Sequence, residues 1–203
     1  MQRRQFLIGS AAAAGALAMP HVGRAAGSSV LKFVPQADLA TLDPVWTTSY
    51  QTRDHGFMVY DTLFGMDNDY NLKPQMLEGA VTSNDDKLWT MKLRDGLKFH
   101  DGEKVLARDC VASILRWSKR DSYGQAIAAA MDEITAPDDK TILIKLKCPF
   151  PLLPIGLGKT SPSICLMMPE RLPKTDALTQ LTEAICSGPF NFKASERLPG
   201  SLV

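Results

Sequence analysis

The 203-residue sequence has only three histidines and four cysteines, and no two cysteines form a C-x-x-C pair. No histidine stands at zinc-finger distance from them, so no metal site is expected. There is no G-x-G-x-x-G after a strand-like segment, no haem-type C-x-x-C-H and no ferredoxin-like cysteine run. No cofactor is therefore expected. A surplus of one charge is also missing, since 23 Lys and Arg face 22 Asp and Glu. That balance argues against a nucleic-acid or anionic-membrane partner. Beyond Met19 no apolar run approaches the roughly 20 residues that span a bilayer.

The N-terminus carries the first positive signal. Arg3-Arg4 precedes an apolar, Ala-rich run from Phe6 to Met19, with small residues around Ala25 and Ala26. This predicts an export signal over residues 1–26, and Arg3-Arg4-Gln5-Phe6-Leu7 matches the twin-arginine pattern, with an ordinary Sec signal as the alternative. No cysteine follows the run closely, so no lipid anchor is expected. Removal of Arg3, Arg4 and Arg24 leaves 20 basic residues against 22 acids, a net charge of about −2. With 45% apolar residues the mature part can bury one domain's core, and a soluble monomer is expected. Export places Cys110, Cys148, Cys165 and Cys186 where disulfides persist, and their pairing is left open, a buried free thiol being the alternative for Cys110.

Short strand and helix patterns then alternate, which predicts a mixed α+β (α/β) fold. Alternation over Val30 to Pro35 predicts a first strand, and Asp43-Pro44 marks a turn inside the loop from Gln36 to Tyr50. Phe57, Tyr60, Leu63 and Phe64 recur at helical spacing, predicting a helix over Gln51 to Phe64. Two hairpins are expected, one across Ala80 to Leu93 around Asn84-Asp85-Asp86-Lys87, the other joining Asp132–Ala136 to Thr141–Lys147 through Pro137-Asp138-Asp139-Lys140. Helices are expected over Ala107 to Lys119 and Gln125 to Met131, with a turn of helix within Phe150 to Leu157. Ser163 to Met168 reads as a buried strand and Pro169 to Glu183 as helical pieces. Phe190 and Phe192 alternate as in a strand. After the Pro199-Gly200 turn a returning strand begins at Ser201-Leu202-Val203, and a half-hairpin leaves backbone groups unpaired, so a truncated fragment is expected.

The run Leu93-Arg94-Asp95-Gly96-Leu97-Lys98-Phe99-His100-Asp101-Gly102 resembles the L-R-x-G-x-x-F-H-D-G signature of the family 5 extracellular solute-binding proteins, the dipeptide, oligopeptide and nickel binders of ABC importers. Thr41-Leu42-Asp43-Pro44, Tyr60-Asp61-Thr62-Leu63-Phe64 and Ser187-Gly188-Pro189-Phe190 agree in the same order, whereas the family usually has Gly at the position of Cys186. The resemblance runs from about Val30 to Val203. It implies part of lobe I, residues 27–203, of a two-lobed periplasmic binding protein (type II, cluster C-like), with the second lobe missing. It also implies a periplasmic, non-enzymatic role: capturing a peptide or other small solute and passing it to ABC permease subunits. A twin-arginine-exported enzyme and a non-functional fragment are the alternatives.

Asp38 resembles the family's acidic position near the ligand's amine, beside the backbone groups of Leu39 and Ala40, with a solvated loop carboxylate as the alternative. Trp46, Tyr50 and Gln51 are the candidate cleft walls, ordinary lobe packing being the alternative. His100-Asp101 has no third member and reads as a structural turn. His55-Asp54 reads as a helix-surface pair. Met167-Met168 reads as core.

Overall fold

The computed structural model describes residues 31–161 and 163–197. The export signal, the Pro199-Gly200 turn and the strand expected from Ser201 lie outside them.

Residues 31–35 form no strand or helix, and Leu31 and Val34 are exposed. Alternation specifies a face but supplies no hydrogen-bonding neighbour, so the first expected strand is corrected here. From Pro35 onward the ordered elements are α1 (Tyr50–Val59), β1 (Phe64–Met66), β2 (Leu72–Pro74), β3 (Leu77–Ser83) and β4 (Leu88–Leu93). They continue with α2 (Ala107–Ser118), α3 (Ser122–Ala130), β5 (Met131–Thr135), β6 (Thr141–Leu146) and α4 (Leu153–Gly158).

Both expected hairpins are present and merge into one antiparallel sheet of order β3-β4-β6-β5, while β1 and β2 form a separate two-stranded ribbon. The first hairpin turns through Asn84, Asp85 and Asp86, all at positive φ (56°, 51° and 60°). Short polar side chains that bond their own backbone tolerate this region better than β-branched ones do. Register sets Trp89 opposite Ile144 and Met91 opposite Ile142. Trp89, Met91, Leu93, Ile142, Ile144 and Leu146 therefore share one buried face, while Lys92 and Lys145 point to water.

Helix α2 covers that face along β6 and β5. Ala107, Cys110, Ile114 and Trp117 are its fully buried apolar positions, whereas Leu115 is exposed. The helix begins where the Asp109 carboxylate accepts the Leu106 N–H at 2.7 Å. Asp121 then caps α3, accepting the N–H groups of Tyr123 and Gly124 at 3.0 Å each. Its second oxygen accepts the Ser163 N–H at 3.1 Å and pairs with Lys159 at 2.7 Å.

Helix α1 stops at Val59, earlier than expected. Tyr60 is already extended, and Phe64 pairs with Pro74 in the ribbon. Its inward face holds Thr52, His55, Gly56 and Val59 and leaves Phe57 exposed, while Tyr60, Leu63 and Phe64 are buried as core beyond the helix's end. Gly56 sits there because a Cβ would come within 2.9 Å of Leu166 Cδ1. The helical turn expected before Leu157 is α4, which packs on the ribbon and on α3.

Ser163 to Met168 is buried, including Met167 and Met168, but it is not a strand. Its donors go to scattered acceptors: Ser163 to Asp121, Met167 to the Asp61 carbonyl at 2.9 Å, and Met168 to Ser113 Oγ at 3.0 Å. No regular ladder follows from such partners. Pro169 to Glu183 likewise forms single turns, such as Leu172 N–H to the Pro169 carbonyl, in place of helical pieces. Phe190 donates its N–H to the Met58 carbonyl at 3.0 Å, at the end of a helix, so neither Phe190 nor Phe192 lies in a strand.

All four cysteines are free thiols, three of them buried. Burial pushes the thiols of Cys110 and Cys165 far up and that of Cys186 up to about 12. Iodoacetamide is therefore expected to modify Cys148 alone in the native protein and all four thiols in urea, read by mass spectrometry. Rapid native-state alkylation of any buried cysteine would contradict this packing.

Candidate functional site

The segment from Asp38 to Gln51 is irregular until α1 begins, so side-chain bonds must hold it in place. Asp43 supplies most of them. Its Oδ1 accepts the N–H groups of Val45 at 3.0 Å and Trp46 at 3.3 Å, together with Arg116 Nη1 at 3.1 Å. Its Oδ2 accepts Arg116 Nη2 at 2.7 Å and the Leu181 N–H at 2.9 Å. The two side chains are 0% and 1% exposed, so this is a desolvated, bidentate ion pair. Arg116 Nη2 also reaches the Thr179 carbonyl at 3.0 Å. Two hydroxyls complete the anchoring: Ser163 Oγ donates to the Pro44 carbonyl at 3.0 Å, and Thr52 Oγ1 to the Thr41 carbonyl at 2.7 Å.

On this base stand the candidate walls. Trp46 is half-buried, and the Arg120 guanidinium lies over its ring at 5.2 Å while donating to its carbonyl at 3.0 Å. Tyr50 opens α1 and is 56% exposed, with the Arg53 guanidinium 4.6 Å from its ring centre. Arg53 in turn bonds Asp54 at 2.9 Å. Gln51 is half-buried and accepts the Ser49 hydroxyl. Asp38 and Ala40 are exposed, whereas Leu39 is buried and its carbonyl is taken by Arg197. Trp46, Tyr50 and Gln51 thus share one short, anchored stretch. The sequence reading missed Arg53, one helical turn after Tyr50, and also Arg116 and Arg120, which sequence distance from the loop hides.

The two histidines among the described residues serve the scaffold. His55 is buried against Phe192, edge-on at 5.4 Å, and neither ring nitrogen has a partner, which corrects the expected surface pair with Asp54. Burial first, and the nearby Arg197 charge second, hold its pKa down to about 4, so the ring is neutral at neutral pH. His100 bonds the Gly188 carbonyl through Nε2 at 2.9 Å, and its N–H reaches the Cys186 carbonyl at 2.7 Å. The F-H-D-G turn is thereby stitched to the S-G-P-F segment. Asp101 turns to the Glu103 N–H at 3.1 Å and to Arg171 at 3.2 Å. Cys186 fits without a positive φ, so its Cβ is not strained there.

Two open grooves of about 550 and 640 Å3 run beside α2. Lys98, Arg108 and Arg171 line the first, and Val111, Leu115 and Ile134 the second, so neither touches residues 38–51. Among the described residues no three metal-ligating side chains converge, and no helix is long and apolar enough to cross a membrane.

Residues 71–198 match the model of the bacterial extracellular solute-binding proteins, family 5 middle. The chain is 38% identical over 205 residues to a probable peptide ABC transporter periplasmic-binding protein of Sinorhizobium fredii, covering 99% of this chain and 38% of that protein. It is 31% identical over 172 residues to the glutathione-binding protein GsiB of Salmonella typhi, covering 83% and 31% respectively. Among solved structures it resembles the PBP AgaA of A. tumefacien in complex with agropinic acid, with a TM-score of 0.63 and 26% identity over 76% of this chain and 31% of that one. The oligopeptide-binding protein AppA of Bacillus subtilis shares the fold, with a TM-score of 0.62 at 21% identity over 74% of this chain and 31% of that one. The chain spans about a third of the length of these relatives.

Proposed function

This chain belongs to the bacterial extracellular solute-binding proteins of family 5, and on that premise we propose that it supplies one jaw of a periplasmic clamp that captures a peptide-like solute for an ABC importer. The observation that carries this reading is the loop from Asp43 to Gln51, which presents Trp46 and Tyr50 on a desolvated ion pair. A ligand wall works when it is aromatic and already held, because little rotamer freedom is then lost on binding. The ligand face is Asp38, Leu39, Ala40, Trp46, Tyr50 and Gln51. Asp38 meets a solute ammonium, Ala40 offers its backbone carbonyl, its N–H being bonded to the Asp38 carbonyl at 3.0 Å, and Leu39 contributes mainly by fixing its neighbours. A single jaw presents a surface rather than an enclosed pocket, which agrees with the two grooves beside α2 lying elsewhere.

Closure follows from solute touching both jaws, since a ligand shifts a conformational equilibrium only by its differential contacts. The reading is of a binder without catalysis, supported by the engagement of His100 and Asp101 with turn partners. Residues 1–26 are the export leader on the strength of Arg3-Arg4. The mature protein is a periplasmic monomer delivering to permease subunits.

The test uses tryptophan emission. Trp89 and Trp117 are buried, so Trp46 is the reporter. Titration of the chain with glutathione, trialanine and pentaalanine is expected to give a saturable change for at least one of them. The change should disappear in Trp46→Phe, and Trp46→Ala should weaken binding about tenfold, the equivalent of 1.4 kcal/mol. No saturable response, by emission or by calorimetry, to any of the three would overturn the assignment.

A further inference from the structure

We propose that Arg120, stacked on Trp46, is the subsite for a solute carboxylate, so that this lobe selects anionic or free-acid ligands. The inference rests on the reading of residues 38–51 as the ligand face. It begins from the charge pairing around the loop. Arg116 is matched by Asp43, Arg53 by Asp54 and Lys159 by Asp121. Arg120 and Arg197 are exposed and their side chains bond only carbonyls of this stretch, with no carboxylate in an ion pair with either among the described residues, and of the two only Arg120 lies over an aromatic wall. Its bonding partners are the ring and the carbonyl of Trp46, at 5.2 and 3.0 Å.

That arrangement fixes a guanidinium without neutralising it. The indole face and the single bond to the Trp46 carbonyl hold the guanidinium in place, and its other N–H donors have no protein partner among the described residues. The side chain is thereby preorganised for a bidentate acceptor, the geometry a carboxylate supplies. Trp46 is itself fixed, because its N–H is bound by the buried Asp43. Arg120 also follows α2, and its backbone N–H bonds the Trp117 carbonyl at 3.0 Å. A merely structural cation at a helix end would satisfy that role without lying over a candidate ligand wall. When a second jaw closes and removes water, an ion pair formed here gains strength that it lacks in the open state.

The experiment measures the affinity of the full chain for trialanine and for trialanine amide, which differ only at the C-terminal carboxylate. Wild type is expected to prefer the free acid by about tenfold to a hundredfold, the range of a charge-assisted hydrogen bond. Arg120→Gln should bring the two affinities within about twofold of each other, chiefly by weakening the acid, while Arg120→Lys should keep part of the preference. Circular dichroism verifies that the variants fold, as expected for an exposed side chain. Equal binding of acid and amide by wild type, or an undiminished preference in Arg120→Gln, would overturn the carboxylate subsite while leaving the jaw reading standing. Failure of wild type to bind either probe or any other peptide tested would remove both.

Discussion

Asp43→Ala is expected to lower the unfolding free energy by about 3–5 kcal/mol, because it strands the Arg116 guanidinium without a counter-charge in a site 1% exposed. Against a typical stability of about 5–15 kcal/mol, that loss is a large part of the total. Three backbone donors, of Val45, Trp46 and Leu181, lose their acceptor at the same time. Arg116→Met should cost a comparable amount by leaving the carboxylate buried and unpaired. The double variant Asp43→Ala/Arg116→Met should cost clearly less than the sum, since neither charge is then stranded. Lys92→Ala is the contrast. Its pair with Glu78 spans 2.9 Å, but both side chains are more than half exposed, so the change should stay within about 1 kcal/mol. Urea unfolding followed by far-UV circular dichroism checks the set. An Asp43→Ala protein within about 1 kcal/mol of wild type would mean that water already enters the site.

The parts of the fold legible in the sequence are those decided by neighbours along the chain. The hairpins needed only an alternating face and a turn such as Asn84-Asp85-Asp86, and both formed. Ser163 to Met168 shows the limit. Its apolar character announced burial correctly, but its backbone partners are the Asp61 carbonyl, Ser113 Oγ and the Asp121 carboxylate, which no local pattern reveals. The helix over α1 was placed by Phe57, Tyr60, Leu63 and Phe64; the last three are buried but lie past the helix's end, and the helix itself buries Thr52, His55, Gly56 and Val59, with Leu166 packed onto Gly56. Asp43-Pro44 was readable as a turn. That Asp43 is also half of a buried ion pair was not, since Arg116 lies 73 residues away. The same distance hid Arg120, which comes to Trp46 from 74 residues further on.

Trp117→Ala is expected to cost about 3–5 kcal/mol, the range for emptying a buried aromatic site. The indole is fully buried on the sheet face of α2, and its Nε1 donates to the Ser163 carbonyl at 2.9 Å. Two effects therefore add, and Trp117→Phe separates them. Phenylalanine keeps most of the apolar contact but leaves the Ser163 carbonyl without its donor, a loss of about 1–3 kcal/mol. A cost for Phe equal to that for Ala would show that the hydrogen bond, rather than the volume, governs the site, while an Ala variant within about 1 kcal/mol of wild type would refute the packing itself. The consequence should reach the ligand face, because Ser163 Oγ holds the Pro44 carbonyl at 3.0 Å, one residue from the buried Asp43. Trp46 emission in Trp117→Ala should therefore shift to the red at urea concentrations below those that melt the sheet. Coincident transitions for Trp46 and for the sheet would instead show that the loop and the core unfold as one unit.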